Sequence, residues 1–342
     1  MQTRLHFQVV LPEVQKYFCD VGVHWVREYD IDGWRLDVAA DLGHSNDYNH
    51  YFWKKFRQVV KEANPNALIL AEHYGNPKNW LQGDEWDTVM NYDAFMEPIT
   101  WYLTGMEKHS DRQRPELCGN AESFIGCMKG QMMYMHTPSL LTAMNELSNH
   151  DHSRFLTRTN RMVGRVSHLG HESASKYVDE AVMRQAVAMQ MTWIGAPTVY
   201  YGDEAGVCGF TDPDNRRTYP WGKENKELLD YHKKTIRIHR ESSALRTGSL
   251  EILYGKNNVV SYARFDENEK VVVVVNRGDA KPELKIPVWR AEVPMQAEME
   301  HILYSWEEGF TSECVMLPVD EGNLSIEMGK NSIAILKYKV KK

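Results

Sequence analysis

The stretch DGWRLDVA, residues 32–39, sets an arginine and an aspartate two positions apart inside an otherwise apolar run. Side chains alternate along a strand, so Arg35 and Asp37 share one face with Gly33, while Trp34, Leu36 and Val38 take the other. Glu72 follows the apolar run ALILA, 35 residues after Asp37, a length that fits one strand, loop, helix and return. Arg35 is expected to hold the Asp37 carboxylate ionised by charge pairing, and the apolar run to raise the pKa of Glu72 and keep it protonated. One ionised carboxylate beside one protonated carboxylic acid is the equipment of retaining glycoside hydrolysis, with a nucleophile and an acid.

The elements that must position these groups follow from hydrophobic period. Residues 12–29 place Val14, Tyr17, Phe18, Val21, Trp25 and Val26 at helical spacing behind a proline suited to a first turn. YFWKKFRQVVKEA repeats the pattern until Asn64-Pro65 stops it, and ALILAEHY reads as the next strand. DTVMNY (87–92), LLTAMNELSNHD (140–151) and PTVYYGDE (197–204) supply three more strand candidates, with a helix expected over 174–192. Five strand candidates separated by helices predict βα units around a parallel sheet. After residue 246 the texture changes to short strands with turn residues between them, which predicts a separate antiparallel sandwich over residues 247–342.

Composition narrows the class. Hydrophobic residues make up 42% and charged residues 25% of the 342, as in ordinary globular proteins. A net charge of -7 without a basic stripe argues against nucleic acid or an anionic membrane as partner. No apolar run is long enough to cross a bilayer, and the first twenty residues lack a signal-like apolar region. The five cysteines are scattered and form no C-x-x-C pair, so neither a disulfide framework nor a zinc site is expected, and a cytoplasmic, reducing setting fits.

The strand candidates end in polar residues: Asp37 and Asp41, Glu72 and His73, Asn91 and Asp93, Asn149, His150 and Asp151, Asp203 and Glu204. Each alone reads equally well as a cap or loop ion pair, but the carboxyl ends of parallel strands are where βα proteins bind ligands. His150 and His152 diverge on an extended segment, which disfavours a metal site. Trp34 and Trp80 read as core before they read as sugar platforms. DPDNRR, with Asp212, Asp214, Arg216 and Arg217, reads as a solvated turn or as part of a site.

DGWRLDVA, LILAEHYG, ELSNHD and GAPTVYYGDEAG resemble, in order and spacing, the fourth-, fifth-, seventh- and eighth-strand motifs of the α-amylase superfamily. NWLQGDEWDTVMNYDAF, DPDNRRTYPW and the terminal β-region resemble its maltodextrin glucosidase, neopullulanase and cyclomaltodextrinase branch, whereas the opening MQTRLHFQVV matches poorly. The resemblance implies a (β/α)8 barrel of TIM type, with only about the fourth to eighth strands encoded in residues 1–246, followed by the sandwich. It also implies Asp37 as nucleophile, Arg35 as its orienting partner, Glu72 as general acid/base, Asp151 as third carboxylate and His150 as a donor to the same sugar. The Asp212, Asp214 and Arg216 loop would border the non-reducing end of the glucan, above Asp203 and Glu204 as supports.

The expected activity is a retaining α-glucan hydrolase acting on maltodextrins, cyclodextrins or pullulan fragments, with transglycosylation as a variant through the same intermediate. The alternative is a non-catalytic remnant or subunit that binds glucan without turnover. No cofactor is required by this reading, no metal ligands are assigned, and structural calcium is left open. The expected partner is an α-glucan oligosaccharide, with a second copy or a complementing amino-terminal half as cover for open sheet edges.

Overall fold

The computed structural model describes residues 11–42 and 45–340; MQTRLHFQVV lies outside the described residues. The first part of the chain carries α1 (Pro12–Tyr29), β1 (Gly33–Leu36), α2 (Asn46–Ala63), β2 (Leu68–Ala71) and β3 (Thr88–Val89). Then come α3 (Glu97–Thr104), α4 (Ala121–Met132), α5 (Thr137–Leu141), β4 (Met144–Glu146), α6 (Phe155–Arg158), α7 (Val166–Leu169), α8 (Glu180–Thr192) and β5 (Ala196–Thr198). The last part holds α9 (Lys226–Glu241), α10 (Ser243–Thr247), β6 (Ser249–Lys256), β7 (Val259–Phe265), β8 (Glu269–Asn276), β9 (Glu283–Pro287), β10 (Ala297–Trp306), β11 (Gly309–Thr311), β12 (Val315–Asp320), β13 (Asn323–Glu327) and β14 (Ser332–Lys339). The chain divides into two compact units, residues 1–93 with 130–144, and residues 94–129 with 145–342.

In the first unit β1, β2 and β3 form a parallel sheet in sequence order, with Arg35 opposite Leu70 and Leu70 opposite Thr88. Met90 continues the order by bridging Met144 in parallel. Helix α1 starts on Pro12 and ends at Asp30, which turns left-handed at φ 51°. Helix α2 is capped by the Ser45 hydroxyl and stops before Asn64-Pro65. The two helices pack closely because Gly22 has no side chain: a Cβ there would lie 2.6 Å from the Phe56 ring. Phe52, Trp53, Phe56 and Val60 on α2 bury against Leu36, Ile69, Ala71 and Val89 of the sheet. Each large side chain removed from water contributes about 1.5–3 kcal/mol. Asp87, just before β3, joins the layers: it accepts from Arg57 at 2.7 Å, Lys61 at 2.8 Å and the Ile69 N–H at 2.9 Å.

Both tryptophans weighed as platforms belong to this core. Trp34 donates to the Gly22 carbonyl at 3.1 Å, and Trp80 is stacked between His50 at 3.8 Å and Trp86 at 4.5 Å.

In the second unit α8 is buried along its whole length, and Asp179 caps it. It therefore starts later than the periodicity over 174–192 predicts. Arg184 and Gln185 of α8 tie the terminal sheet by donating to Ser305, the Trp306 carbonyl and the Asn276 carbonyl at 2.8–3.0 Å. That sheet is antiparallel and nine-stranded, in the order β6-β7-β8-β14-β10-β12-β13-β9 with β11 beside β10. It folds over a core of Val272, Val274, Ile286, Met299, Leu324 and Leu336, which makes the expected antiparallel sandwich out of one continuous hydrogen-bonded sheet. PTVYYGDE forms only the short β5, paired with β4, before the chain turns.

Candidate active site

Strand β1 ends at Leu36, one residue before Asp37, so Asp37 sits on the first residue of a turn rather than within the strand. The next residue, Val38, adopts φ 40°. A β-branched side chain at positive φ is a strained conformation that persists only where surrounding structure fixes it. Here the residue after β2 fixes it: Glu72 Oε2 accepts the Val38 N–H at 2.9 Å, and the Glu72 carbonyl accepts the Ala39 N–H at 3.1 Å.

Arg35 lies across both carboxylates. Its Nη1 donates to Asp37 Oδ1 at 2.5 Å and its Nη2 lies 3.1 Å from Glu72 Oε2. Burial works against the guanidinium charge, but the Asp37 hydrogen bond and the Glu72 charge outweigh it and hold Arg35 above its ordinary pKa. The two acids differ sharply in access: the Asp37 side chain is 77% exposed and that of Glu72 is 5%. Glu72 is buried, as the run ALILA predicts, yet one of its oxygens faces two nitrogen donors rather than apolar groups. Asp93 accepts the Gly75 N–H at 2.8 Å and so shapes the loop after Glu72. His73 is lowered from its usual pKa by burial.

The second cluster is built on the NHD segment in the other unit. Asn149 receives the backbone N–H groups of Asp151 and His152, each at 3.0 Å, which fixes the turn. His150 Nε2 lies 3.6 Å from Asp151 Oδ2 and Arg216 Nη2 3.7 Å from Asp151 Oδ1. Arg216 also pairs with Asp212 at 2.7 Å and donates to the His150 carbonyl at 3.0 Å. The DPDNRR loop is locked onto NHD by the backbone: Asp212 N–H donates to the Asp151 carbonyl at 3.1 Å, and Asn215 donates to the Asn149 and His152 carbonyls at 2.9 and 2.7 Å.

Asp214 is not part of a solvated turn. Its side chain is 1% exposed and accepts from the Phe210 N–H at 2.8 Å, from Arg217 at 2.9 Å and from His171 at 2.6 Å. Beneath the loop, fully buried Arg154 donates to Asp203 at 2.9 Å and lies over the Tyr200 ring at 4.1 Å. Asp203 thus anchors Arg154. His152 points inward, its Nδ1 3.1 Å from Met96 Sδ, and burial pushes its pKa down to about 2. A ring buried against a thioether is not placed to share a metal with His150. Among the described residues no group of three or more His, Cys, Asp or Glu is arranged to hold a metal ion.

The structure thus brings Arg35, Asp37 and Glu72 together in one unit, and His150, Asp151, Asp212 and Arg216 in the other. Sequence reasoning missed the Val38 N–H, Asn149 as the fastener of NHD, Asn215, Arg154 and His171. Asn149 and Asn215 were within sight as members of the quoted motifs; His171 carries no local signal. Cys19, Cys118, Cys208 and Cys314 are in no disulfide, and among the described residues no helix is long and apolar enough to cross a membrane.

Residues 2–257 match the model of the alpha-amylase catalytic domain, so the opening segment expected to match poorly lies within the match. A cyclomaltodextrinase of Thermoanaerobacter pseudethanolicus is 37% identical over 268 residues, covering 78% of this chain and 40% of that protein. Neopullulanase 2 of Thermoactinomyces vulgaris is 34% identical over 281 residues, covering 81% of this chain and 42% of its own length. The chain therefore spans about two fifths of the curated relatives it matches. A debranching enzyme of Nostoc punctiforme superposes with a TM-score of 0.77 at 27% identity, covering 97% of this chain and 63% of that one. With motifs, parallel βα sheet and terminal antiparallel sheet in agreement, the chain belongs to the alpha-amylase catalytic-domain family.

Proposed function

We propose that the protein is a retaining α-glucan hydrolase that cleaves glucosidic bonds of maltodextrins, cyclodextrins or pullulan fragments. The observation that carries this reading is the Arg35 guanidinium spanning an exposed Asp37 and a buried Glu72. Asp37 Oδ2 attacks the anomeric carbon while Glu72 gives a proton to the leaving glycosidic oxygen; Glu72 then takes a proton from water as the glucosyl ester is hydrolysed. Asp151 is the third carboxylate and His150 a donor to sugar hydroxyls. Asp212 and Arg216 bind further along the glucan, with Asp214 holding their loop. Residues 1–246 form the catalytic region and 247–342 the terminal domain. No cofactor enters these steps.

A second copy covers the first unit in this reading. Two features support such cover: β1 has no second neighbour in its sheet among the described residues, and Tyr17, Trp25 and Tyr29 are exposed on α1. Cys19, Cys118, Cys208 and Cys314, in no disulfide, support a cytoplasmic setting.

Reducing-sugar release from maltotriose and β-cyclodextrin by the chain and its Glu72→Gln variant tests the proposal. Loss of the general acid is expected to cut the rate by roughly 100-fold or more. NMR of the first product should give the α-anomer. A folded chain that binds these sugars and turns over none of them would support the binding-only alternative, and a β-anomer would exclude retention.

A further inference from the structure

Outside the catalytic residues, the first two turns of α2 and the segment 78–85 enclose an open groove of about 710 Å³. Neither Asp37 nor Glu72 lines it. Its volume lies in the range of small-molecule sites, roughly 300–1,000 Å³.

Acidic groups in its walls are engaged. Lys54 pairs with Asp84 at 2.8 Å, and His50 Nδ1 meets both oxygens of buried Glu85 at 2.7 and 3.0 Å. Lys78 and Asp47, of opposite sign, complete the charged lining. Two lysines face three carboxylates, so the lining has no basic surplus to draw a polyanion.

What remains is chemistry for a neutral polyhydroxyl compound. Asn46, Asn79 and Gln82 bring amide groups that both donate and accept, the pattern that hydroxyls need. Gln82 is already oriented, because its Nε2 donates to the Lys78 carbonyl at 2.5 Å. Tyr51 leaves 53% of its surface exposed beside them, a flat ring for the apolar face of a sugar. The floor is rigid: the His50 ring stacks on Trp80, and Trp80 on Trp86 with only 9° between their planes. Glu85 takes up the Nδ1 side of His50, which leaves Nε2 without a hydrogen bond among the described residues.

We propose that this groove is a second saccharide-binding site, separate from the catalytic carboxylates, which takes a neutral α-glucan oligosaccharide through the Tyr51 ring and the amides of Asn79 and Gln82. The choice of α-glucan rests on the function proposed above; the groove itself does not.

Calorimetric titration of the Glu72→Gln chain, slowed in turnover, with maltotetraose tests the site, with a Tyr51→Ala/Gln82→Ala double variant in the same background. Two classes of binding are expected, one of them weakened about tenfold or more in the double variant, the scale of losing a stacked ring. Tyr51→Phe keeps the ring and should restore it, which separates a lost platform from a damaged fold. An isotherm unchanged by the double substitution, or binding abolished equally by inorganic phosphate, overturns the proposal. In a chain with Glu72 intact, Tyr51→Ala/Gln82→Ala should leave hydrolysis of maltotriose unchanged. Hydrolysis without a second binding class sinks the groove alone, and a Tyr51-dependent class without hydrolysis sinks the catalytic reading alone.

Discussion

Val38 donates its backbone N–H to Glu72 Oε2 at 2.9 Å, and it does so from a left-handed conformation, φ 40°, that valine avoids. The turn that aims this N–H also swings Asp37 off the end of β1 toward solvent. Holding a non-glycine residue there costs roughly 1–2 kcal/mol, while glycine would lose about 0.5–1 kcal/mol in chain entropy. Val38→Gly should therefore alter the thermal midpoint little. Turnover of maltotriose should nevertheless fall, because the N–H that positions Glu72 is no longer confined. A variant with unchanged kcat would mean that the strain has no part in the chemistry.

Arg35 serves two carboxylates through two different nitrogens, which a point-charged ammonium cannot do. Arg35→Lys should keep the fold and lower kcat about 100-fold, the scale of misplacing a reacting group, with a much smaller change in KM. An equal rise in KM with kcat preserved would place Arg35 in substrate binding instead.

The sequence made some of this legible and hid the rest for physical reasons. Period-two alternation was enough to pair Arg35 with Asp37, and period 3.6 with Pro12 and Asn64-Pro65 marked α1 and the end of α2. The shortened β1 was hidden, because the left-handed Val38 is imposed by Glu72 and not by its own preference. The burial of Asp214 was hidden too. DPDNRR has the composition of a solvated turn, and the partner of its buried Asp214, His171, lies 43 residues away from it. His50 and Glu85, 35 residues apart, likewise meet only once α2 and the loop before β3 pack together. Local pattern reveals period and punctuation; ion pairs between distant segments depend on packing that the pattern does not encode.

Asp214 fastens the loop that carries Asp212 and Arg216. The carboxylate itself has almost no exposure and meets Arg217, His171 and the buried Phe210 N–H, so an asparagine there would set its own buried NH2 against donors. Asp214→Asn should cost about 1–3 kcal/mol in stability, by the penalty for unpaired buried groups. Because the loop binds rather than reacts in the proposed function, KM for maltotriose should rise more than kcat falls. A loss confined to kcat would argue against that division of roles.

Asp87 gives a prediction with a pH sign. Burial alone would raise its pKa, but hydrogen bonds from Lys61, Arg57 and the Ile69 N–H outweigh it and hold the group below its ordinary 3.8. A carboxylate with a depressed folded-state pKa contributes stability that is fully present above the unfolded value and is lost as pH falls through the folded one. Asp87→Asn should thus lower stability at pH 7 by about 1.5–3 kcal/mol, the worth of hydrogen bonds to a charged group. The gap between variant and parent should narrow steadily as the pH drops below about 4. Urea unfolding of both proteins at pH 7 and at pH 3 measures it. A gap of equal size at both values would show that the Asp87 side chain joins α2 to the sheet by shape and neutral hydrogen bonds, not by its charge.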